Sequence, residues 1–164
     1  MLPDEPGTYA LILRACRSTI LTVGKLGDFV FPTGWYAYAG SARGPGGLAS
    51  RVSRHVAVSK TCHWHVDYLR EEVELVEIWY ATGLARRECS WADALSALGG
   101  ASIPAPRFGA SDCRCAAHLI HFAERPSLLP FSESLKYPVM RGVLRPGAKE
   151  PCQATQKDGP PAGL

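Results

Sequence analysis

The chain has no asparagine, no apolar run near the roughly 18 residues that a membrane-spanning helix needs, and a single acid between Ala10 and Lys60. The short apolar runs exclude a transmembrane helix. The acidic start MLPDEPGTY lacks the apolar core of a secretory signal, so a cytoplasmic protein that does not engage a membrane is expected. The same absence makes reduced thiols the expected state of Cys16, Cys62, Cys89, Cys113, Cys115 and Cys152. Between Ala10 and Lys60, Asp28 is the one acid against Arg14, Arg17, Lys25, Arg43, Arg51, Arg54 and Lys60. A basic stretch of that kind suits a phosphate-bearing partner, through Coulomb attraction and counterion release. With no asparagine available, polar support for any site has to come from other side chains.

What is present fits one soluble α/β domain: 164 residues, 46% hydrophobic and 20% charged, with a net charge of +3. Thr8 to Ala15 and Thr19 to Val23 are β-rich and separated by a tight turn at Arg17-Ser18. Gly24 to Pro32 reads as a loop, and Trp35 to Ala39 as a third strand of one small antiparallel sheet. After the Gly-Pro-Gly-Gly run at 44–47, Leu48, Val52 and Val56 recur at helical spacing, with Arg51 and His55 along one flank. Trp64 to Glu71 reads as a short helix and Val73 to Tyr80 as a half-exposed strand. Arg86 to Leu98 reads as a helix with Trp91, Leu95 and Leu98 inward, and His118 to Ala123 as a late strand. Residues 1–125 are expected to form the domain. Residues 126–164 form a Pro/Gly-rich extension, expected to be disordered from about residue 140.

Three features carry chemistry. The strand containing Trp35, Tyr36 and Tyr38 ends in Ala39-Gly40, passes through a glycine-rich turn, and leads into a helix bearing Arg51, Arg54 and His55. That sequence delivers a phenol, a close backbone approach and cations. Glu88 falls three and seven residues before Trp91 and Leu95, which places a carboxylate on the inner side of its helix. Such a group is costly to bury unless paired or metal-bound. Cys113, Cys115 and His118 are ligand-type residues, but their spacing is not that of a usual zinc knuckle, so zinc is not expected.

Gly7-Thr8-Tyr9, Tyr38-Ala39-Gly40, the Gly47-to-Arg51 segment GLASR and the later Glu88, in that order, resemble the GIY-YIG nuclease signature. The segments HWHVDYL (63–69) and FGASDC (108–113) resemble the Uri superfamily branch. The resemblance implies a small central antiparallel sheet flanked by helices. It implies a metal-dependent endonuclease hydrolysing phosphodiester bonds in DNA, in a repair, mobile-element or restriction setting. It also assigns roles: Glu88 would hold Mg²⁺ or Mn²⁺, Arg51 would grip the phosphate, and Tyr9 or Tyr38 would orient or deprotonate the attacking water. His63 or His65 would serve as an alternative base, with Asp67 four residues after His63 to orient it. Arg43, Arg51, Arg54 and His55 would contact nucleic acid. Two departures stand out. Ser41 occupies a position where repair-type relatives often carry lysine, and Ser111 or Asp112 has to replace a supporting asparagine.

Two rival readings use the same residues. A non-catalytic nucleic-acid-binding module would keep Arg43, Arg51 and Arg54 but would not need Glu88. A zinc-stabilised interaction domain would rest on Cys113, Cys115 and His118. A targeting protein partner is compatible with either nucleic-acid reading, because so small a domain has little surface for reading bases.

Overall fold

The computed structural model describes residues 1–57, 61–142 and 144. Seven strands and four helices follow in the order β1 (Gly7–Ala15), β2 (Thr19–Val23), β3 (Gly27–Phe31), β4 (Gly34–Ala42), α1 (Gly47–Val56), α2 (His65–Arg70), β5 (Glu74–Thr82), α3 (Glu88–Ser96), β6 (Leu119–Phe122), α4 (Leu128–Ser134) and β7 (Met140–Gly142). The main sheet has the order β6-β4-β1-β5-β7 and is antiparallel throughout, giving an α+β fold. Among the described residues no helix is long and apolar enough to cross a membrane.

The central strand β1 is covered on both faces, because successive side chains of a strand point to opposite sides. Tyr9, Leu11 and Leu13 join Tyr36 and Tyr38 of β4 in one core, which α1 and α2 close with Leu48, Val52, Val66 and Leu69. Ala10 and Ile12 join Ala37, Ala39 and Trp79 in a second core, closed by Trp91 and Leu95 of α3 and Phe131 of α4. This double burial explains why β1 reads as a nearly continuous apolar run. β5, expected to be half-exposed, instead has no exposed residue, because β1 and β7 flank it and its acid Glu77 is buried.

Two further segments differ from the sequence-based expectation. The supposed loop at 24–32 contains a short helical turn and then β3, which pairs with β2 in a separate two-stranded sheet, so β2 does not join β1 and β4 in one sheet as expected. The glycines that suggested a loop form the connection instead: Gly24 and Gly27 have φ of +47° and +111°, values that side chains disfavour. Phe29 and Phe31 then alternate inward in step with strand geometry. The second difference is the proline-rich extension, where packing continues past Arg125. Pro130 sits in the first turn of α4, where a missing N–H costs little. Phe131 is fully buried, stacked on Trp79 at 5.2 Å and edge-on to Trp91 at 5.1 Å. β7 adds to the sheet edge beside β5, and Arg141 and Arg125 both pair with the buried carboxylate of Glu77. The remaining expected tail, residues 143 and 145–164, lies outside the described residues.

The long connection from α3 to β6 is tied to α2 by the Gly109 N–H, which donates to His65 Nδ1 at 2.9 Å. His65 also packs edge-on against Phe108. Burial holds the His65 imidazole below its ordinary pKa.

Two outcomes follow. Phe131→Ala should lower unfolding stability by about 3–4 kcal/mol in a denaturant titration, which a detached extension would not. His65 is harder to protonate folded than unfolded, so its contribution is complete above the unfolded value of about 6.5. That contribution is lost as pH falls from there through the lower folded value. Unfolding free energies measured at several pH values should therefore fall less steeply on acidification in His65→Gln than in the wild type.

Candidate active site

A pocket of about 220 Å³ opens where β4 runs out, and its walls come from β1, β4, α1, α3 and the connection before β6. The register of β1 against β4 sets its floor. Tyr9 lies opposite Gly40, and Leu11 opposite Tyr38, so the two tyrosines are diagonal neighbours on one sheet face. A Cβ at Gly40 would stand 2.5 Å from the Tyr9 hydroxyl, so the second triplet's glycine is the seat of the first triplet's tyrosine. Tyr9 and Tyr38 are buried, and both line the pocket. Burial pushes both phenols well above their ordinary pKa, and the neighbouring Arg51 opposes this only in part. Both therefore remain protonated near neutral pH.

The Tyr9 hydroxyl shares a 2.7 Å hydrogen bond with His55 Nε2, and His55 Nδ1 lies 3.9 Å from Asp67 Oδ1. All three side chains are buried. This corrects the assignment of His55 to nucleic-acid contact. The helical stripe expected to bury Val56 instead buries His55, and Val56 is 39% exposed. Asp67 also accepts the backbone N–H groups of His63 and Trp64, both at 2.9 Å, which fixes the start of α2.

Arg51 lines the pocket from α1, where its charge acts on the Tyr9 hydroxyl. Its guanidinium lies over the Trp64 ring, 4.5 Å from the centroid, and that of Arg54 lies over the same ring at 4.4 Å. Glu88 is the first residue of α3, and its buried Oε2 has no hydrogen-bond partner among the described residues. A carboxylate oxygen in that state is set up to receive a cation or a donor. Asp112 and Ser41 also line the pocket.

Other expected residues fall elsewhere. Ser111 and Arg43 are exposed and outside the pocket wall, and Arg54 is exposed on the outer side of α1. Neither histidine proposed as a base is in the wall. His63 precedes α2 instead of lying on it, so Asp67 meets its backbone and not its ring. His63 is exposed and edge-on to Trp64, while His65 is occupied by Gly109. The residue that faces Tyr9 is His55, which the pairing of hydroxyl and imidazole across 46 positions hides from sequence inspection. Arg86 and Trp64 also line the pocket and were not anticipated. Arg86 had a faint signal as a cation two residues before Glu88.

At one end of the pocket wall the ligand atoms of Cys89, Cys113, Cys115 and His118 all lie within 4.8 Å of one another. Those three cysteines are thiols, whereas Cys16 is disulfide-bonded, against the expectation of reduced thiols throughout. His118 is buried, and this holds its pKa below the ordinary value despite the nearby Glu88 and Asp112.

Comparison with curated proteins and with solved structures finds no match to either. A family model does match, over residues 8–138, a span that contains every residue of the pocket wall and extends through α4. The chain belongs to the family described as Domain of unknown function DUF123.

Proposed function

We propose that the chain is a metal-dependent endonuclease of the GIY-YIG type, in the Uri branch, that hydrolyses phosphodiester bonds in DNA. The observation that carries this reading is the convergence of Tyr9, Tyr38, Arg51 and Glu88, from four different elements, on one pocket. The buried Oε2 of Glu88, without a hydrogen-bond partner among the described residues, and the Asp112 carboxylate in the same wall suit Mg²⁺ or Mn²⁺, which prefer oxygen ligands. Such an ion, when bound, neutralises charge on the phosphate and on the departing oxygen.

The chain's own groups account for the remaining chemistry. Arg51 and Arg86 supply charge-assisted donors to phosphate oxygens, and the Trp64 ring under Arg51 limits the orientations its guanidinium can take. A phenol held far above its ordinary pKa cannot serve as a preformed phenolate base. The Tyr9–His55 hydrogen bond resolves this difficulty. Tyr9 accepts a proton from the attacking water as its own proton passes to His55 Nε2, so no phenolate accumulates. The buried Asp67 carboxylate stabilises the resulting imidazolium. Tyr38 orients the water or a phosphate oxygen by donating its hydroxyl proton. Arg54, over Trp64 on the outer side of α1, extends the cationic surface along the path of a bound strand.

The test is cleavage of labelled single-stranded, duplex and branched DNA with Mg²⁺, Mn²⁺ or EDTA. Metal-dependent cutting is expected on at least one substrate. Glu88→Gln, Arg51→Ala and Tyr9→Phe, each checked for folding by circular dichroism, should each lower kcat by roughly 10²–10³-fold. Binding without cutting on every substrate would establish the non-catalytic module instead. Cutting that survives Glu88→Gln would reject the assignment of the metal to that carboxylate.

A further inference from the structure

The fold brings together four soft donors that the sequence keeps apart. Cys89 is the second residue of α3, Cys113 and Cys115 lie in the connection before β6, and His118 immediately precedes that strand. From this arrangement we infer a tetrahedral Cys₃His zinc site, made by Cys89, Cys113, Cys115 and His118, that buckles α3 to the connection and thereby holds the carboxylates of the pocket in place. The inference goes beyond the hydrolysis reading, because zinc binding requires no cleavage activity.

Geometry supports it first. Zn–S bonds of about 2.3 Å and Zn–N bonds of about 2.0 Å give a tetrahedron whose S···N edge is about 3.5 Å and S···S edge about 3.8 Å. Cys113 Sγ lies 3.4 Å, and Cys89 Sγ 3.8 Å, from His118 Nε2, and every pair of the four donors is within 4.8 Å. The donors need only close in by a fraction of an ångström to surround one ion.

The backbone around the donors is already fixed. Arg107 adopts a φ of +67° and directs its guanidinium at the carbonyls of Ala110, Cys113 and Cys115, at 2.5, 2.6 and 2.6 Å. His118 donates its N–H to the Phe108 carbonyl at 2.7 Å and accepts the Ala39 N–H at 2.9 Å. Three of the four ligands are therefore presented by a loop held from within, and binding need order little more than thiol rotamers.

Chemistry selects the ion. Thiolates and an imidazole suit Zn²⁺ and disfavour Mg²⁺, whereas the neighbouring carboxylates have the opposite preference. Four protein donors fill the tetrahedral shell, so the zinc is structural and leaves no open position for substrate. Glu88 and Asp112 each directly precede a ligand, Cys89 and Cys113 respectively, so one ion ties both carboxylates to a common point. Zinc looked unpromising in the sequence because only Cys113, Cys115 and His118 were near neighbours. Cys89 completes the set only through the packing of α3.

The full chain, purified without an affinity metal, would be assayed for zinc by mass spectrometry and for Co²⁺ uptake by absorption spectroscopy. About one zinc per chain is expected, with Co²⁺ giving the intense visible bands and thiolate charge-transfer absorption of a tetrahedral sulfur-rich site. Cys89→Ser and Cys115→Ser should each lose most of the bound zinc and alter the Co²⁺ bands. A folded wild type that neither contains zinc nor takes up Co²⁺ with those bands overturns the proposal, as does a Cys89→Ser chain with full zinc and an unchanged Co²⁺ spectrum. Should the variants fail to fold, the wild type alone decides: a chelator that strips the zinc must lower Tm, and no change in Tm rejects a structural role. Zinc bound without cleavage leaves this site intact and counts against the nuclease reading; cleavage without zinc does the reverse.

Discussion

The register of β1 between β4 and β5 is the constraint on which the rest of the molecule depends. β1 is paired on both edges and buried on both faces, so its alternation assigns side chains to two separate cores. A slip of one residue would turn Tyr9 toward α3 and away from Arg51 and His55. Two glycines enforce the correct pairing. At Gly40 a side chain would collide with the Tyr9 hydroxyl, and at Gly7 it would meet the Ala81 carbonyl at 2.5 Å and Leu48 Cδ1 at 2.7 Å. Both triplets therefore read first as packing, with a glycine where strand and helix or strand and ring must approach, and the chemistry of the tyrosines is built on that fit.

The electrostatics of the pocket follow from what surrounds those tyrosines. A phenol at the surface would titrate near its ordinary value; here desolvation dominates and outweighs the attraction of Arg51. The protein keeps the hydroxyls neutral and places a hydrogen-bond partner for Tyr9 in the core. His55 and Asp67 are too buried to meet a polymer directly, so their influence on any bound phosphate runs through Tyr9. The exposed cations beside them perform the opposite task, since long-range attraction needs charge at the surface. One short helix, α1, thus carries both kinds of residue: Arg54 outward and Arg51 in the pocket wall, both over Trp64, and His55 inward under Tyr9.

What the sequence made legible was what depends on local pattern. Strands β1 and β2, the start of α1 after the glycine run, and the inward stripe of α3 all follow from periodicity and breakers. The α+β class and the convergence of Tyr9, Tyr38, Arg51 and Glu88 were readable because an ordered set of short motifs marks them. Long-range pairings were not readable. Nothing local says that His55 will meet Tyr9 instead of solvent, that His65 will be occupied by Gly109, or that Cys89 will join Cys113, Cys115 and His118. Composition misled in two places. Glycines at 24 and 27 were turns of a hairpin and not signs of a loop, and prolines beyond residue 125 concealed one buried aromatic, Phe131, that anchors α4.

That segment bears on the site as well as on stability. Arg51 and Glu88 come from helices packed on opposite faces of the sheet, so the pocket is accurate only if α3 is held firmly relative to α1. α3 is short, and its first residue lacks a side-chain cap at the preceding Arg87. Its position is instead fixed from outside. Phe131 packs against Trp91, the Trp91 indole donates to the Tyr137 hydroxyl at 2.7 Å, and the Arg87 guanidinium lies 3.9 Å over the Tyr137 ring. These contacts brace the turn that carries Glu88 from the side away from the pocket, and the cysteine cluster meets the same turn at Cys89. A carboxylate whose oxygen is buried and unpartnered would drift toward solvent if its helix could tilt. The bracing by residues 128–137 resists such a tilt, and the family match spans those residues as well as the pocket wall.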